Sequence, residues 1–520
     1  MVYCGRPSKG CAPCRAKRTK CDQARPTCGQ CQRARRECPG YRDEQDLFRN
    51  ETSKVMTKAQ AGTGWEDSKP LSTTPLLNLV QDGLVPTPAT DFSVAPAKME
   101  EHTMIATRGL SVPLEDEATY YFFHNFVSED PTCLTAYSHV LPTLYRQESS
   151  FSALPKIIGA IGLAGLSNMK HAPELMVAAG QNYARVLRAI TASIQDSKEA
   201  STDQTLIAVI LLGLFETITC SSPESMRSWA NHVNGATAIA RLRGVDQLRT
   251  KIGRNIFTSL RVQILVDCLQ RRLIVPPDFI DWTEIAAETE CKEMLPEQQL
   301  FPIVGRLCAL RATAERYRNN SIGVVTLANI IDSDLEDWKN NLPPAFSYSI
   351  IQSANTEQVF SDTYHVYRST WNVAVWNLYR CARILTQQII TAWLSRNSMP
   401  NPALHESQQY RSAILLANLA YDICASVPFI LGASHSSIYS SRLPRAASGT
   451  VLLWPLYLVA TMDQQLGGMR AWIITRLELI GRMMGIKQAE SLANVLRTKR
   501  EITAWDKFET ARADEVVDDW

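Results

Sequence analysis

From about Leu114 onward, apolar side chains recur at three- and four-residue intervals, the signature of helices with one face in a core. "EDEATYYFFHNFV" opens this region just after Pro113, and "DQTLIAVILLGLFETI", starting at Asp203, is apolar all round and predicts a fully buried helix. "SPESMRSWANHVNGATAIARLRG" begins with Ser222 and Pro223 in N-cap and N1 roles and stops at Gly244. Further helices are predicted over 297–317, 325–340, 360–397, 406–426, 448–465 and 469–498. Runs of β-branched residues with period two are scarce, so the expected fold class is mainly α: an all-helical array of about 380 residues. The longest apolar run, "LIAVILLGLF" at 206–215, is about half of the roughly 20 residues a spanning helix requires, which favours a buried core helix.

Before residue 114 the pattern is different. Residues 62–96 hold five prolines among Ser, Thr and Gly, a linker composition; within it Leu76, Leu77, Val80 and Leu84 share one helical face. Residues 43–60 are charged, and Leu47, Phe48, Val55 and Met56 offer at most a short, weak seam for pairing. The first 42 residues show no apolar periodicity. The domains expected are therefore residues 1–42, a linker at 43–113, a helical domain at 114–510 and an acidic tail at 511–520.

Composition sharpens the contrast. The chain of 520 residues has a net charge of +2, but residues 1–42 carry eleven basic side chains against Asp22 and Glu37, a local balance of +9. A compact basic head on a mildly acidic body points to a polyanion as partner. Half of the 14 cysteines lie in the same head. The opening "MVYCGRPSKG" lacks the apolar stretch of a secretory leader, so a reducing, intracellular setting is expected, in which clustered thiols are metal ligands rather than disulfides.

The spacing of those thiols is regular. "CAPCRAKRTKC" and "CGQCQRARREC" are both C-x2-C-x6-C, and six further residues join them. Zinc takes four thiolates in a tetrahedron, and six cysteines fill two such sites only if two sulfurs are shared. By the symmetry of the repeat, Cys11 and Cys28 are the sharers; Cys14 and Cys21 complete one site, Cys31 and Cys38 the other. About forty residues cannot build an adequate apolar core, so the metal supplies the folding energy. Two Zn²⁺ and six thiolates leave roughly +7 on the head, so the basic surface survives the chemistry.

This spacing, together with "CRAKRTKC" and the loop proline Pro26, resembles the zinc binuclear cluster family of fungal transcription factors. The resemblance implies two zinc ions and a short helix over residues 14–20 lying in the major groove of double-stranded DNA. Lys17 and Arg18 would read guanine O6 and N7 of a C·G-rich, CGG-type triplet. Arg15, Lys20, Arg25, Arg33, Arg35 and Arg36 would hold phosphates, which position without specifying. "WANHVNGATAIARLRG" and "LLWPLYLVA" give the body a similarity to the fungal transcription-factor regulatory domain. Together these imply a nuclear transcription regulator of a metabolic or secondary-metabolite pathway. Paired half-sites would make a homodimer the binding species, with the weak seam at 43–60 leaving a monomer open; the acidic-hydrophobic "ADEVVDDW" is read as a frayed, solvated tail or as a segment that meets coactivators or the transcription machinery. The other reading is a zinc-containing co-regulator or scaffold whose head binds a protein.

No enzyme signature appears: GxSxG, HExxH, P-loop and GxGxxG patterns are missing, and no two histidines stand four apart. His232 is expected to be a hydrogen-bonded core residue.

Overall fold

The computed structural model describes residues within 11–38 (all of 27–36, others singly), and 112–127, 140–147, 152–220, 225–290, 296–314, 321–353, 358–397, 402–432, 444–462 and 467–498. The chain divides into two compact units, residues 1–64 and 65–520. The linker, the acidic tail, Ser222, Pro223 and residues 43–60 lie outside the described residues.

Among the described residues, the first unit contributes a helical start at Pro13 and Cys14 and the helix α1 (Gly29–Arg33). The second contains α2 (Leu114–Phe126), α3 (Leu141–Gln147), α4 (Ala153–Lys170), α5 (Pro173–Ser193), α6 (Ser197–Ala200), α7 (Asp203–Thr219), α8 (Ser225–Arg243) and α9 (Lys251–Arg271). It continues with α10 (Pro277–Glu290), α11 (Pro296–Ala314), α12 (Ser321–Asn340), α13 (Thr370–Arg396), α14 (Pro402–Ile430), α15 (Ala446–Ala460), α16 (Met469–Met484) and α17 (Lys487–Thr498).

Helix α7 is the hub of the amino-terminal half. Thr202 caps it by accepting from the Thr205 N–H at 3.2 Å, and Asp203 sits in the first turn where the helix dipole favours an acid. From Thr205 to Gly213 every side is buried, because α4, α5, α8, α9 and α17 surround it. Helices α11, α12, α13 and α14 stack in sequence, and α15 packs on α13, α14, α16 and α17. The two halves share one apolar core. A polar stitch also crosses it: Asn168 Nδ2 on α4 donates to the carbonyls of Ile218 (2.9 Å) and Gly485 (2.8 Å).

The helical expectation holds, with α3, α4, α5, α6, α9 and α10 as helices beyond those expected and three differences within the expected stretches. The stretch 469–498 is two helices, since Gly485 turns the chain at φ 68°, a left-handed conformation open to glycine at little cost. The stretch 360–397 is helical only from Thr370; Thr363–Val366 is a strand, paired antiparallel with Ser349–Gln352 in the register Ser349↔Val366 to Gln352↔Thr363. "TYHV" alternates and is β-branched or aromatic, so it suits a strand against α14. The body is thus mainly helical with one small sheet. Third, among the described residues α14, and not the 206–215 run, is long and apolar enough to cross a membrane; its face from Leu416 to Val427 is instead packed in the core.

A buried polar cluster tightens the second half. The fully buried Arg380 donates to Tyr367 Oη (2.8 Å) and Asn377 Oδ1 (2.9 Å), lies 3.7 Å from Asp422, and stacks on Tyr348 and Trp376. Burial, with the Arg380 charge, pulls the His365 imidazole down to about 3. It is therefore neutral at pH 7, and its 3.8 Å approach to Asp422 is not an ion pair there. His232 is hydrogen-bonded as expected, to Tyr183 Oη at 2.9 Å.

Candidate metal centre and nucleic-acid interface

The head is organised around sulfur. Cys11, Cys14, Cys28 and Cys31 are buried and the partly buried Cys21 and Cys38 pack against them, so thiols stand where an apolar core would be. The two halves repeat in backbone geometry as well as in sequence. Thr19 N–H donates to the Cys14 carbonyl at 3.0 Å, and the equivalent Arg36 N–H donates to the Cys31 carbonyl at 3.0 Å. Each CxxC turn is thus closed by the same five-residue return, which brings the following six-residue spacer back toward the cluster. The first helix has accordingly ended by Thr19, short of the expected 14–20, because the spacer must return Cys21 to Cys11. In the second half Cys28 is the N-cap of α1, its Sγ accepting from the Cys31 N–H at 3.3 Å.

Sulfur–sulfur distances report what these turns achieve. Cys11 Sγ lies 3.7 Å from Cys28 Sγ, 3.6 Å from Cys31 Sγ and 3.9 Å from Cys21 Sγ, and Cys14 Sγ is 3.7 Å from Cys28 Sγ. A tetrahedron of sulfurs with Zn–S bonds of about 2.3 Å has edges of ~3.8 Å, whereas a disulfide would need ~2.05 Å. Two tetrads form, Cys11–Cys14–Cys21–Cys28 and Cys11–Cys28–Cys31–Cys38, with all sulfurs of each within 4.8 Å of one another. The residues common to both are Cys11 and Cys28, the pair singled out by the repeat. Burial pushes the Cys11 thiol above its ordinary range, so metal must displace protons on entering.

Asp22 is a residue that counting thiols and charges overlooked. Its carboxylate accepts from the Gly29 N–H at 3.0 and 3.1 Å and from the Ala24 N–H at 3.4 Å, tying the linker to the start of α1. A Cβ at Gly29 would stand 2.6 Å from Asp22 Oδ2, so glycine is what permits this approach. The signal was available in the sequence: an acid just after Cys21, and a glycine at N1 of the second helix.

Around this centre Lys17, Arg33, Arg35 and Arg36 are exposed. Arg33 Nε folds back onto the Gly29 carbonyl at 3.2 Å, and Arg35 takes a left-handed backbone at φ 48° as α1 ends. Arg15, Arg18, Lys20 and Arg25 lie outside the described residues. The geometry thus offers two tetrahedral thiolate sites beneath a surface of exposed cations.

Comparison with known proteins accounts for both units. Residues 9–47 match the fungal Zn(2)-Cys(6) binuclear cluster domain, and residues 125–498 match the fungal specific transcription factor domain. The chain belongs to the fungal transcription factors that carry these two domains. The binuclear cluster domain takes two zinc ions, in keeping with the two tetrads, and the pair of domains is that of a DNA-binding transcription regulator. An Emericella nidulans protein, described as uncharacterized protein AN5342, is 26% identical over 159 residues, covering 30% of this chain and 33% of that one. White-opaque regulator 2 of Candida albicans is 50% identical over 34 residues, 6% of this chain and 8% of its own length. The chain therefore spans a third or less of the curated relatives it matches. No solved structure matches it.

Proposed function

We propose that this regulator acts in the nucleus and reads C·G-rich, CGG-type sites through the major groove, with Lys17 and Arg18 on guanine and Arg15, Lys20, Arg25, Arg33, Arg35 and Arg36 on phosphates. Cys11, Cys14, Cys21, Cys28, Cys31 and Cys38 hold the zinc ions, with Cys11 and Cys28 bound to both. A homodimer on paired half-sites regulates a metabolic or secondary-metabolite pathway through coactivators or the transcription machinery. The observation that carries this reading is the pair of sulfur tetrads sharing one edge beneath exposed cations, a scaffold whose own charge leaves the basic surface positive. Zinc supplies the fixed geometry; the chain's residues do the recognition.

Selection from random duplex DNA by the full-length, zinc-loaded protein tests it, since triplet, spacing and stoichiometry come out together. CGG-containing sites should be enriched, with affinity falling steeply as salt rises. Lys17→Ala and Arg18→Ala should each cost about 1–3 kcal/mol on a CGG site and little on scrambled DNA. If no triplet is enriched, DNA reading fails and the head is a protein-binding module.

A further inference from the structure

A cavity of about 960 Å³, open to solvent on part of its boundary, lies in the helical body between α7, α8, α9, α11, α13, α15, α16 and α17. That is the upper end of the range of small-molecule sites, roughly 300–1,000 Å³. Its walls are more apolar than polar, with leucines and valines from five helices and the half-buried rings of Trp229, Trp371 and Trp454. Three arginines, Arg272, Arg311 and Arg470, also line it, and none of the described lining residues is Asp or Glu.

Cations in an apolar cavity are costly unless something opposes them. Arg470 is occupied by the fold, since it donates to the carbonyls of Ala460 (3.2 Å) and Leu496 (2.8 Å) at the ends of α15 and α17. Arg311 is different: within the described structure its buried Nε has no hydrogen-bond partner. Two more lining residues, Gln270 and Trp371, likewise hold a buried polar atom without a partner, Oε1 and Nε1. The carboxylate on α9 is no counter-ion for Arg311, because Asp267 is committed to Arg271 at 3.1 Å. Burial and the neighbouring Arg272 charge lower Arg311 to about 10, which still leaves it cationic at neutral pH. A site with this wall and this anchor is matched by a molecule that brings its own negative charge on an apolar body.

We infer that the body binds a small organic carboxylate in this cavity, its aromatic or aliphatic part among Trp229, Trp371 and Trp454 and its carboxylate on Arg311. The inference concerns the helical body alone and stands or falls independently of what the head reads.

The test is calorimetric titration and thermal melting of the full-length, zinc-loaded protein with 1-naphthylacetate and decanoate, each beside its neutral amide. At least one acid should bind and raise the melting temperature, with about tenfold or more preference over its amide, the scale of a charge-assisted hydrogen bond. Arg311→Gln should reduce the acid to the affinity of the amide, and Arg311→Lys should retain the preference. Ala374→Trp, which fills the cavity from α13 without touching the charge, should abolish binding of both forms. Melts of the unliganded variants separate these effects from loss of the fold. The inference is overturned by equal affinity for acid and amide, by a preference that survives Arg311→Gln in a folded protein, by binding that survives Ala374→Trp, or by no binding of either acid up to ~1 mM.

Discussion

The head and the body of this protein solve the folding problem with different materials. The body buries leucine, isoleucine and valine from most of its helices, and its stability is spread over a single apolar core. Among the described residues, the head buries cysteines alone. A diffuse core tolerates substitution and hides its design in dozens of positions. A thiolate cluster concentrates its design in six positions, and losing any of them removes at least one metal site. The same contrast explains the division of labour: a head built on sulfur leaves its exposed side chains free to carry cations, while a body with a large core can hold a cavity.

The comparison breaks most sharply on zinc. Chelation should unfold the head and abolish DNA binding, at a cost on the order of the ~10–16 kcal/mol of structural zinc, and leave the helical circular-dichroism melt of the body unchanged. Metal analysis sharpens it further. Cys28→Ser removes a ligand of both tetrads and should empty the head, whereas Cys14→Ser spares the tetrad Cys11–Cys28–Cys31–Cys38 and should retain about one zinc.

The mirror experiment strikes the body. Leu211, fully buried in α7, should cost about 2–5 kcal/mol when cut to alanine, lowering the body's melting temperature while two zincs stay bound. Within the head, Asp22→Ala removes the acceptor for the Gly29 N–H and should cost about 1–3 kcal/mol, read as weaker zinc retention against a competing chelator.

The most gradual effect is a pH slope confined to the body. His365 titrates near 3 in the folded chain and near 6.5 unfolded. Between those values the unfolded chain binds more protons, so stability rises with pH and is lost on acidification from about 6.5 toward 3. His365→Gln should flatten that slope by up to ~1.4 kcal/mol per pH unit, measured by urea unfolding across the range.

How legible each region was follows from the same difference. The head's two tetrads could be read from ligand arithmetic, because tetrahedral coordination leaves few ways to distribute six thiols. The extent of its first helix could not, since Thr19 turns back to Cys14 for a reason that lies in the position of Cys11. In the body, α7 was evident from an unbroken apolar run capped at Thr202. Helices α4 and α5 were not among the expected elements: α4 carries Gly159, Gly162 and Gly165, which depress helix propensity, and the buried positions Ala179, Val186 and Ile190 of α5 are sparse. The strand Thr363–Val366 was read as helix because its partner, Ser349–Gln352, lies across a connection that periodicity does not see. Nothing in the sequence announced the cavity, whose arginines come from the end of α9, from α11 and from α16.

The shared edge of the two tetrads has a consequence for the cell's metal economy. With Cys11 and Cys28 3.7 Å apart and common to both, the first ion to arrive would order and deprotonate half the ligands of the second. Loading would then be cooperative, with a Hill coefficient approaching two in a zinc titration. A head built this way would respond to free zinc as a threshold, and its DNA binding would switch over a narrow span of metal supply.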